Sequence, residues 1–192
     1  YEGREAFSGP LEDRMHRFWR DGGATMAIGK LPVSIPTGCL VGGTTAISSG
    51  TCLEAPDALL ESWCRDLGLP DDFAPANFAA HVEAVKAELG VAPAQAQLLG
   101  DIAGIVAAGA DAMGVRHGPL PRNAPDCDGQ GACALGCPTG AKRSTNVSYM
   151  SRALRAGAHL FTGLGVTRIL THGDRAVAVE ARGQDRHGAS RV

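Results

Sequence analysis

Two segments of this 192-residue chain hold residue types that could do chemistry. The first is Gly38-Cys39-Leu40-Val41-Gly42-Gly43-Thr44-Thr45-Ala46-Ile47-Ser48-Ser49-Gly50-Thr51-Cys52. Paired glycines let main chain approach a flat or anionic ligand, and the hydroxyls of Thr44, Thr45, Ser48, Ser49 and Thr51 can donate to phosphates, a polyol chain or ring carbonyls. By composition alone such a loop is more often a plain turn. It lacks the Lys of a nucleoside-triphosphate loop, and no G-x-G-x-x-G occurs in it, so neither a triphosphate nor a standard dinucleotide turn is supported.

The second is the Gly-rich stretch that carries Cys127, Cys133 and Cys137. Its Cys-x3-Cys-Pro ending matches part of a ferredoxin run, but that run needs C-x2-C-x2-C-x3-C-P, and five residues separate Cys127 from Cys133 with no fourth cysteine nearby. A zinc site completed by His117 is one alternative, and thiols packing a tight turn are the commoner outcome. The histidines are scattered and none pairs with a nearby Ser or Cys as a nucleophile arrangement, so none is assigned to catalysis.

The elements that must position these segments are legible in part. From Gly22 to Leu53 the only charged residue is Lys30 and no helical periodicity appears, which predicts a long loop wrapped on something rather than freely solvated. Pro56 and Asp57 open a helix with Leu59, Leu60, Trp63, Cys64 and Leu67 on one face, ended by Gly68 and Pro70. Asn77 is placed as the cap of a second helix burying Phe78, Val82, Val85 and Leu89, stopped by Gly90. A third is predicted from about Pro93 to Met113, with Leu98, Leu99, Ile102, Ile105 and Val106 buried and Gly100, Gly104 and Gly109 suggesting close helix packing.

After a loop over 114–143, Ser144, Thr145 or Asn146 can cap a helix through Tyr149, Met150, Ala153 and Leu154 that stops at Gly157. Strands are expected at His159–Phe161, Val166–Leu170 and Ala176–Ala181, the last two joined at His172-Gly173-Asp174. Between Asp128 and Asp174 there is no acidic residue, while Lys142, Arg143, Arg152, Arg155 and Arg168 are present. They either face a bound anion or form a solvated basic face.

Composition narrows the partners. The length suits one domain, and 44% hydrophobic with 20% charged residues is near the globular average. No apolar run approaches the ~18 residues of a membrane span. A net charge of −2 offers no general attraction to polyanions, which makes nucleic acid an unlikely partner and a small-molecule or cofactor site the default. The chain opens at Tyr1 and stops in a polar stretch, which reads as an excised piece. Six cysteines are too sparse for a disulfide-stapled mini-domain, so the compartment stays open, a cytoplasmic setting being favoured.

Taken in order, Asp21-Gly22-Gly23, the Gly38–Cys52 segment, Ala55-Pro56-Asp57 to Trp63, and Cys127 through Tyr149 resemble the glucose-methanol-choline family of FAD-dependent oxidoreductases. The second motif is similar to the branch with bacterial and long-chain-alcohol oxidising members. The resemblance covers roughly residues 20–66 and 123–182. It implies an α/β (mixed) fold: an incomplete FAD-binding Rossmann-like domain, with a flavin-contacting loop region over 22–55, a helical insertion over 56–113, a Cys/Gly loop over 114–143, and helix plus C-terminal strands over 144–182.

It also implies hydride removal from an alcohol carbon to FAD, with a His beyond this chain taking the hydroxyl proton, so the catalytic residue is not placed. Carried over by position, the cofactor-binding residues are Gly38, Val41, Gly42, Gly43, Thr44, Thr45, Ser48, Ser49, Gly50 and Thr51, with Val166 meeting the adenine through its backbone. Cys39 stands where the family pattern has Arg, Lys or Asn, and Ser48 where it has Asn or His. No His lies between His16 and His81, which implies non-covalent FAD. The partners expected are an alcohol substrate and the remainder of the chain's own polypeptide, and residues 1–192 alone are expected to be inactive. The rival reading is a small metal-binding or electron-transfer module built on Cys127, Cys133 and Cys137, and a third is a structural fragment.

Overall fold

In a computed structural model the chain is described over residues 7–184 and 190–191, and it divides into two compact units with the boundary at Ser151–Arg152. In the first unit, helix α1 (Leu11–Phe18) carries Glu12 and Asp13 in its first turn and His16 and Arg17 in its last, matching the helix dipole. Phe18 ends it pointing inward. Its ring lies 4.9 Å from that of Phe7, and both pack with Ile47 into a small core flanked by Trp19 and Leu40.

The uncharged region is not uniformly irregular. Strands β1 (Met26–Ala27) and β2 (Val33–Ser34) pair antiparallel as a small hairpin, and Thr44–Ile47 forms a one-turn helix, α2. Only part of the region is wrapped as expected. Residues 27–36 are exposed throughout, whereas Gly38–Gly43, Ala46–Ser48 and Gly50 are half-buried or buried apart from Cys39. Gly22 and Gly23, with φ of +61° and +89°, turn the chain between α1 and this region.

Helix α3 (Asp57–Leu67) starts and stops where the sequence places it, with Leu60 buried and Gly68 in the left-handed conformation after its end. Helix α4 (Pro75–Leu89) begins earlier than expected. Ala74 occupies the N-cap position, Pro75 takes the first helical turn where its missing N–H is no loss, and Asn77 sits inside the helix donating its Nδ2 to the Asp71 carbonyl at 2.9 Å. Phe78, Val82 and Leu89 are half-buried and Val85 exposed, so this face is only partly covered.

The largest departure is the third helix. Strands β3 (Ala92–Pro93) and β4 (Pro121–Arg122) pair antiparallel, a 3-10 turn spans Ala96–Leu98, and α5 runs only over Gly100–Ala112. It is not buried: Ile102 is 76% exposed, Ile105 73% and Val106 62%. A Cβ on Gly100, Gly104 or Gly109 would meet nothing within 4 Å, so these glycines do not mark close packing. Gly100 is required instead by its φ of +68° at the helix entrance. Apolar periodicity identifies a helix that wants cover, but not whether this segment contains the cover.

Residues 144–148 form turns rather than a helical start, and α6 (Tyr149–Arg155) begins later than a cap at Ser144–Asn146 would place it. Ser148 N–H and Oγ both donate to the Ser144 carbonyl, which satisfies the local groups without a regular helix. Gly157, φ +91°, ends α6 as expected. In the second unit, β5 (Leu164–His172) and β6 (Arg175–Gln184) form an antiparallel hairpin through a two-residue turn at Gly173-Asp174, and β7 (Ser190–Arg191) adds to its end. His159–Phe161 is not a strand. Helices and small sheets thus coexist as the expected mixed class requires, and each of the three described sheets is antiparallel.

Candidate flavin-loop site

The Gly38–Thr51 loop is held by bonds that its own sequence pattern makes possible. Gly38 faces the following turn so closely that a Cβ would fall 2.6 Å from the Gly43 carbonyl carbon, and its N–H donates to Thr44 Oγ1 at 3.1 Å. Gly42, φ +93°, presses on Asn146, where a Cβ would meet the backbone nitrogen at 2.9 Å. Gly43 is the opposite case. Its φ of 53° and ψ of −144° suit only glycine, yet a Cβ there would meet nothing within 4 Å. The space beside the Gly43 Cα is therefore open directly before α2, although Gly43 is half-buried and its N–H and C=O bond to Leu40 and Ala46.

The hydroxyls expected to reach for a ligand are largely used inside the loop. Thr45 Oγ1 donates to the Gly42 carbonyl at 2.6 Å, Thr145 Oγ1 reaches the same carbonyl at 3.0 Å, and the two hydroxyls meet at 2.9 Å. The Thr145 N–H donates to Thr45 Oγ1 at 3.1 Å, closing a small network that locks residues 42–45 to 145. Ser48 Oγ donates to the Thr45 carbonyl at 3.2 Å, and Ser49 Oγ to Thr51 Oγ1 at 3.1 Å. Thr44, Thr45 and Ser49 nonetheless remain on the exposed side, and Val41 is half-buried.

Two cations fasten the back of the loop. Lys142 is 1% exposed, and its ammonium donates to the carbonyls of Ala46, Ser48 and Cys133 at 2.9, 2.6 and 2.8 Å. Arg122 Nη2 donates to the Ser49 carbonyl at 2.6 Å and to Cys133 Sγ at 2.9 Å. Gly50, φ +73°, admits both neighbours, since a Cβ there would meet Asn123 Oδ1 at 2.7 Å and Lys142 Cδ at 3.1 Å. Main-chain bonds from Cys52 N–H to Pro121 and from Asn123 N–H to Gly50 align the loop's exit with β4.

Burial pushes the Lys142 pKa down to about 8, with Cys133 and Cys137 opposing the fall and Arg122 adding to it. Burial alone would raise the Cys137 thiol, but hydrogen bonding by Thr139 and by the main chain of Lys142, Gly140 and Ala141 outweighs it and draws the pKa below the ordinary value. Of the cations in the acid-free stretch, Lys142 and Arg143 are both engaged within the protein. Lys142 is inside, because its three protons find carbonyls there, and Arg143 pairs with Asp126 at 3.2 Å. His117, the fourth metal ligand considered, pairs with Asp111 at 2.9 Å, and no three His, Cys, Asp or Glu side chains converge among the described residues.

The structure thus brings together Gly38, Val41, Gly42, Gly43, Thr44, Thr45, Ser48, Ser49, Gly50 and Thr51 with residues 122–123 and 133–146. Val166 lies in the second unit, on β5 at a register shift, 59% exposed. Sequence reasoning missed Lys142, Arg122 and Thr145 as the residues that shape the loop. The one signal was the position of Lys142 and Thr145 within a Gly- and Cys-rich turn, where a polar side chain has main-chain carbonyls to reach.

Comparison with known proteins places the chain in a family. Residues 15–192 match the model of a family described as GMC oxidoreductase. An uncharacterized GMC-type oxidoreductase of Mycobacterium tuberculosis (strain H37Rv) is 38% identical over 90% of this chain and 27% of its own length. One of Sinorhizobium fredii is 33% identical over 88% of this chain and 33% of its own. A long-chain-alcohol oxidase of Arabidopsis thaliana is 25% identical over 85% of this chain and 21% of its own. The chain therefore spans about a quarter to a third of the length of the first two relatives. No solved structure matches it. With the family model covering most of the chain, it belongs to the GMC oxidoreductases, a family of flavin-binding oxidoreductases.

Proposed function

We propose that this chain is part of an FAD-dependent oxidoreductase acting on the CH–OH group of an alcohol, and that the Gly38–Thr51 loop packs beside the flavin. The observation that carries the reading is Gly43, half-buried yet with nothing within 4 Å of where a Cβ would lie, while the carbonyls of Gly42 and Ser48 are held within the loop and from behind it. A planar uncharged ring fits such a surface: it needs close main-chain approach and hydrogen-bonding groups rather than a cationic pocket. Similarity to long-chain-alcohol oxidases of Arabidopsis thaliana supports the alcohol class.

In this reading Gly42, Gly43, Thr44, Thr45, Ser48, Ser49, Gly50 and Thr51 border the cofactor, Gly38 and Val41 support the turn, and Val166 offers main chain to the adenine. Bound FAD supplies the two-electron acceptor that alcohol oxidation requires. The chain's own part is to fix the loop and exclude water from its inner side. The Rossmann-like turn for the pyrophosphate and the proton-accepting His belong to the remainder of the polypeptide, so residues 1–192 alone neither oxidise an alcohol nor hold FAD tightly. The flavin is held non-covalently, since no His lies between His16 and His81 to form a link.

Acid precipitation of the purified full-length protein is the test. Yellow flavin released into the supernatant is expected. Flavin retained in the pellet overturns the non-covalent part, and a preparation that neither contains nor takes up flavin overturns the whole reading.

A further inference from the structure

Two cysteines that the flavin reading leaves unused sit among positive groups behind the loop. Arg122 Nη2 donates to Cys133 Sγ at 2.9 Å, and the Lys142 ammonium donates to the Cys133 carbonyl at 2.8 Å. Cys137 Sγ accepts the Lys142 main-chain N–H at 3.4 Å and lies 3.5 Å from Thr139 Oγ1. No Asp or Glu occurs between Asp128 and Asp174, and among the described residues the side chains of Arg122 and Lys142 bond to carbonyls and sulfur, not to a carboxylate. Both cations therefore border the pair without being neutralised.

Such surroundings suit a thiolate, the nucleophilic form of cysteine, which nearby cations and N–H donors favour at partly exposed sites. Burial would push the Cys137 thiol up, but hydrogen bonding by Thr139 and by the main chain of Lys142, Gly140 and Ala141 draws it below its ordinary value. At Cys133 a guanidinium N–H stands against the sulfur itself, where it meets negative charge that forms as the proton leaves. Both thiols are half-buried, so a small oxidant has access to them. The chain between them folds sharply: the Leu135 N–H donates to the Ala132 carbonyl at 2.9 Å, and Gly136 has a φ of +90°.

We propose that Cys137 and Cys133 form a dithiol site oxidised by hydrogen peroxide, with Cys137 as the attacking thiolate and Cys133 as the resolving thiol. The Cys137 sulfur attacks one peroxide oxygen, the O–O bond breaks, and hydroxide leaves and takes up a proton to become water. Cys137 is then a sulfenic acid. The Cys133 sulfur attacks that sulfur, an S–S bond forms, and the sulfenic hydroxyl departs with the Cys133 proton as a second water. The two thiols lose two electrons and the peroxide gains them. Arg122 also holds the Ser49 carbonyl at 2.6 Å, so the site shares a fastening with the loop, but its chemistry does not depend on the flavin reading.

Exposure alone gives a different order of reaction, because Cys39 is the exposed thiol and these two are not. The reduced full-length protein is treated with limiting hydrogen peroxide, alkylated, digested and mapped by mass spectrometry. A Cys133–Cys137 disulfide is expected to form at least about tenfold faster than Cys39 is oxidised, and a dithiol reductant is expected to reverse it. Oxidation of Cys39 first, or a disulfide from either cysteine to Cys127 instead, overturns the proposal. Cys133→Ser removes the resolving sulfur, and Cys137 is then expected to hold a sulfenic acid that dimedone traps, whereas Cys137→Ser is expected to leave Cys133 without an adduct at the same dose. A Cys137 that gives no adduct in the first variant, or a Cys133 that gives an equal one in the second, overturns the assigned roles. The disulfide map needs no variant, so it decides the matter even if either serine variant fails to fold.

Discussion

The ring of Phe7 lies where residue 136 has no side chain. A Cβ on Gly136 would overlap the Phe7 ring atoms, and the φ of +90° at Gly136 independently disfavours any L side chain. Phe7 itself packs against Phe18, the rings tilted by 39°, in the small core beneath the loop. Gly136 is thus a contact between the Cys/Gly turn and that core, and Gly136→Ala is expected to destabilise the protein by roughly 2–4 kcal/mol through overpacking and backbone strain together. Urea unfolding of the variant checks this. A loss below about 0.5 kcal/mol would mean that Phe7 is free to leave the site.

The contact between residues 45 and 145 carries a second expectation. Thr145 supplies a hydroxyl to the Gly42 carbonyl and to Thr45, so Thr145→Val keeps the shape and removes both bonds. About 1–2 kcal/mol of stability is expected to go, and Thr145→Ser is expected to restore most of it because the hydroxyl returns. Thermal unfolding of the two variants side by side reads the difference. Loss in Thr145→Ser with none in Thr145→Val would assign the effect to packing of the Thr145 methyl group instead.

Much of this architecture is legible in the sequence where local chemistry decides it. Pro56, Asp57 and Gly68 bracket α3 because the missing N–H, the acidic first turn and the left-handed exit are each properties of single residues. Gly173 marks the β5–β6 hairpin for the same reason. Burial of α5 was not legible, since its apolar face states a preference for cover and the covering surface is not a local property. The candidate loop was legible as a Gly/Thr/Ser segment, but its fastening was not. Lys142 reads as one more surface cation until the carbonyls of Ala46 and Ser48, nearly a hundred residues away in sequence, are seen around it.

That environment gives Lys142 a pH signature. Its pKa falls from 10.5 to about 8 on burial, so between these values the unfolded chain binds more protons than the folded one. Stability from this group therefore rises as pH increases from about 8 to about 10.5, and it is flat below and above, where both states are equally protonated. The rise is bounded at roughly 3 kcal/mol. Subtracting the urea stability of Lys142→Met from that of the unmodified protein cancels other titrating groups. A difference that stays constant across the window would show that the ammonium keeps an ordinary pKa in its carbonyl cage.

The open space beside the half-buried Gly43 yields the most direct link between geometry and cofactor. Gly43 and Gly68 both have positive φ, 53° and 63°, and at neither would a Cβ meet another atom within 4 Å. An added methyl at either position therefore costs stability only through backbone strain, about 1–2 kcal/mol, and somewhat more at Gly43, whose ψ of −144° lies in a region that only glycine occupies easily. Gly68 closes α3 and serves as the control for strain. The proposed function separates the two. At Gly43 the methyl also projects into the space assigned to the flavin ring, so Gly43→Ala is expected to purify with a small fraction of the flavin held by Gly68→Ala at matched stability. Flavin content per protein, measured by absorbance after stability has been matched by temperature, decides the matter. If both variants retain flavin equally, the open face of Gly43 is not where the ring lies, and the loop must be assigned to structure alone.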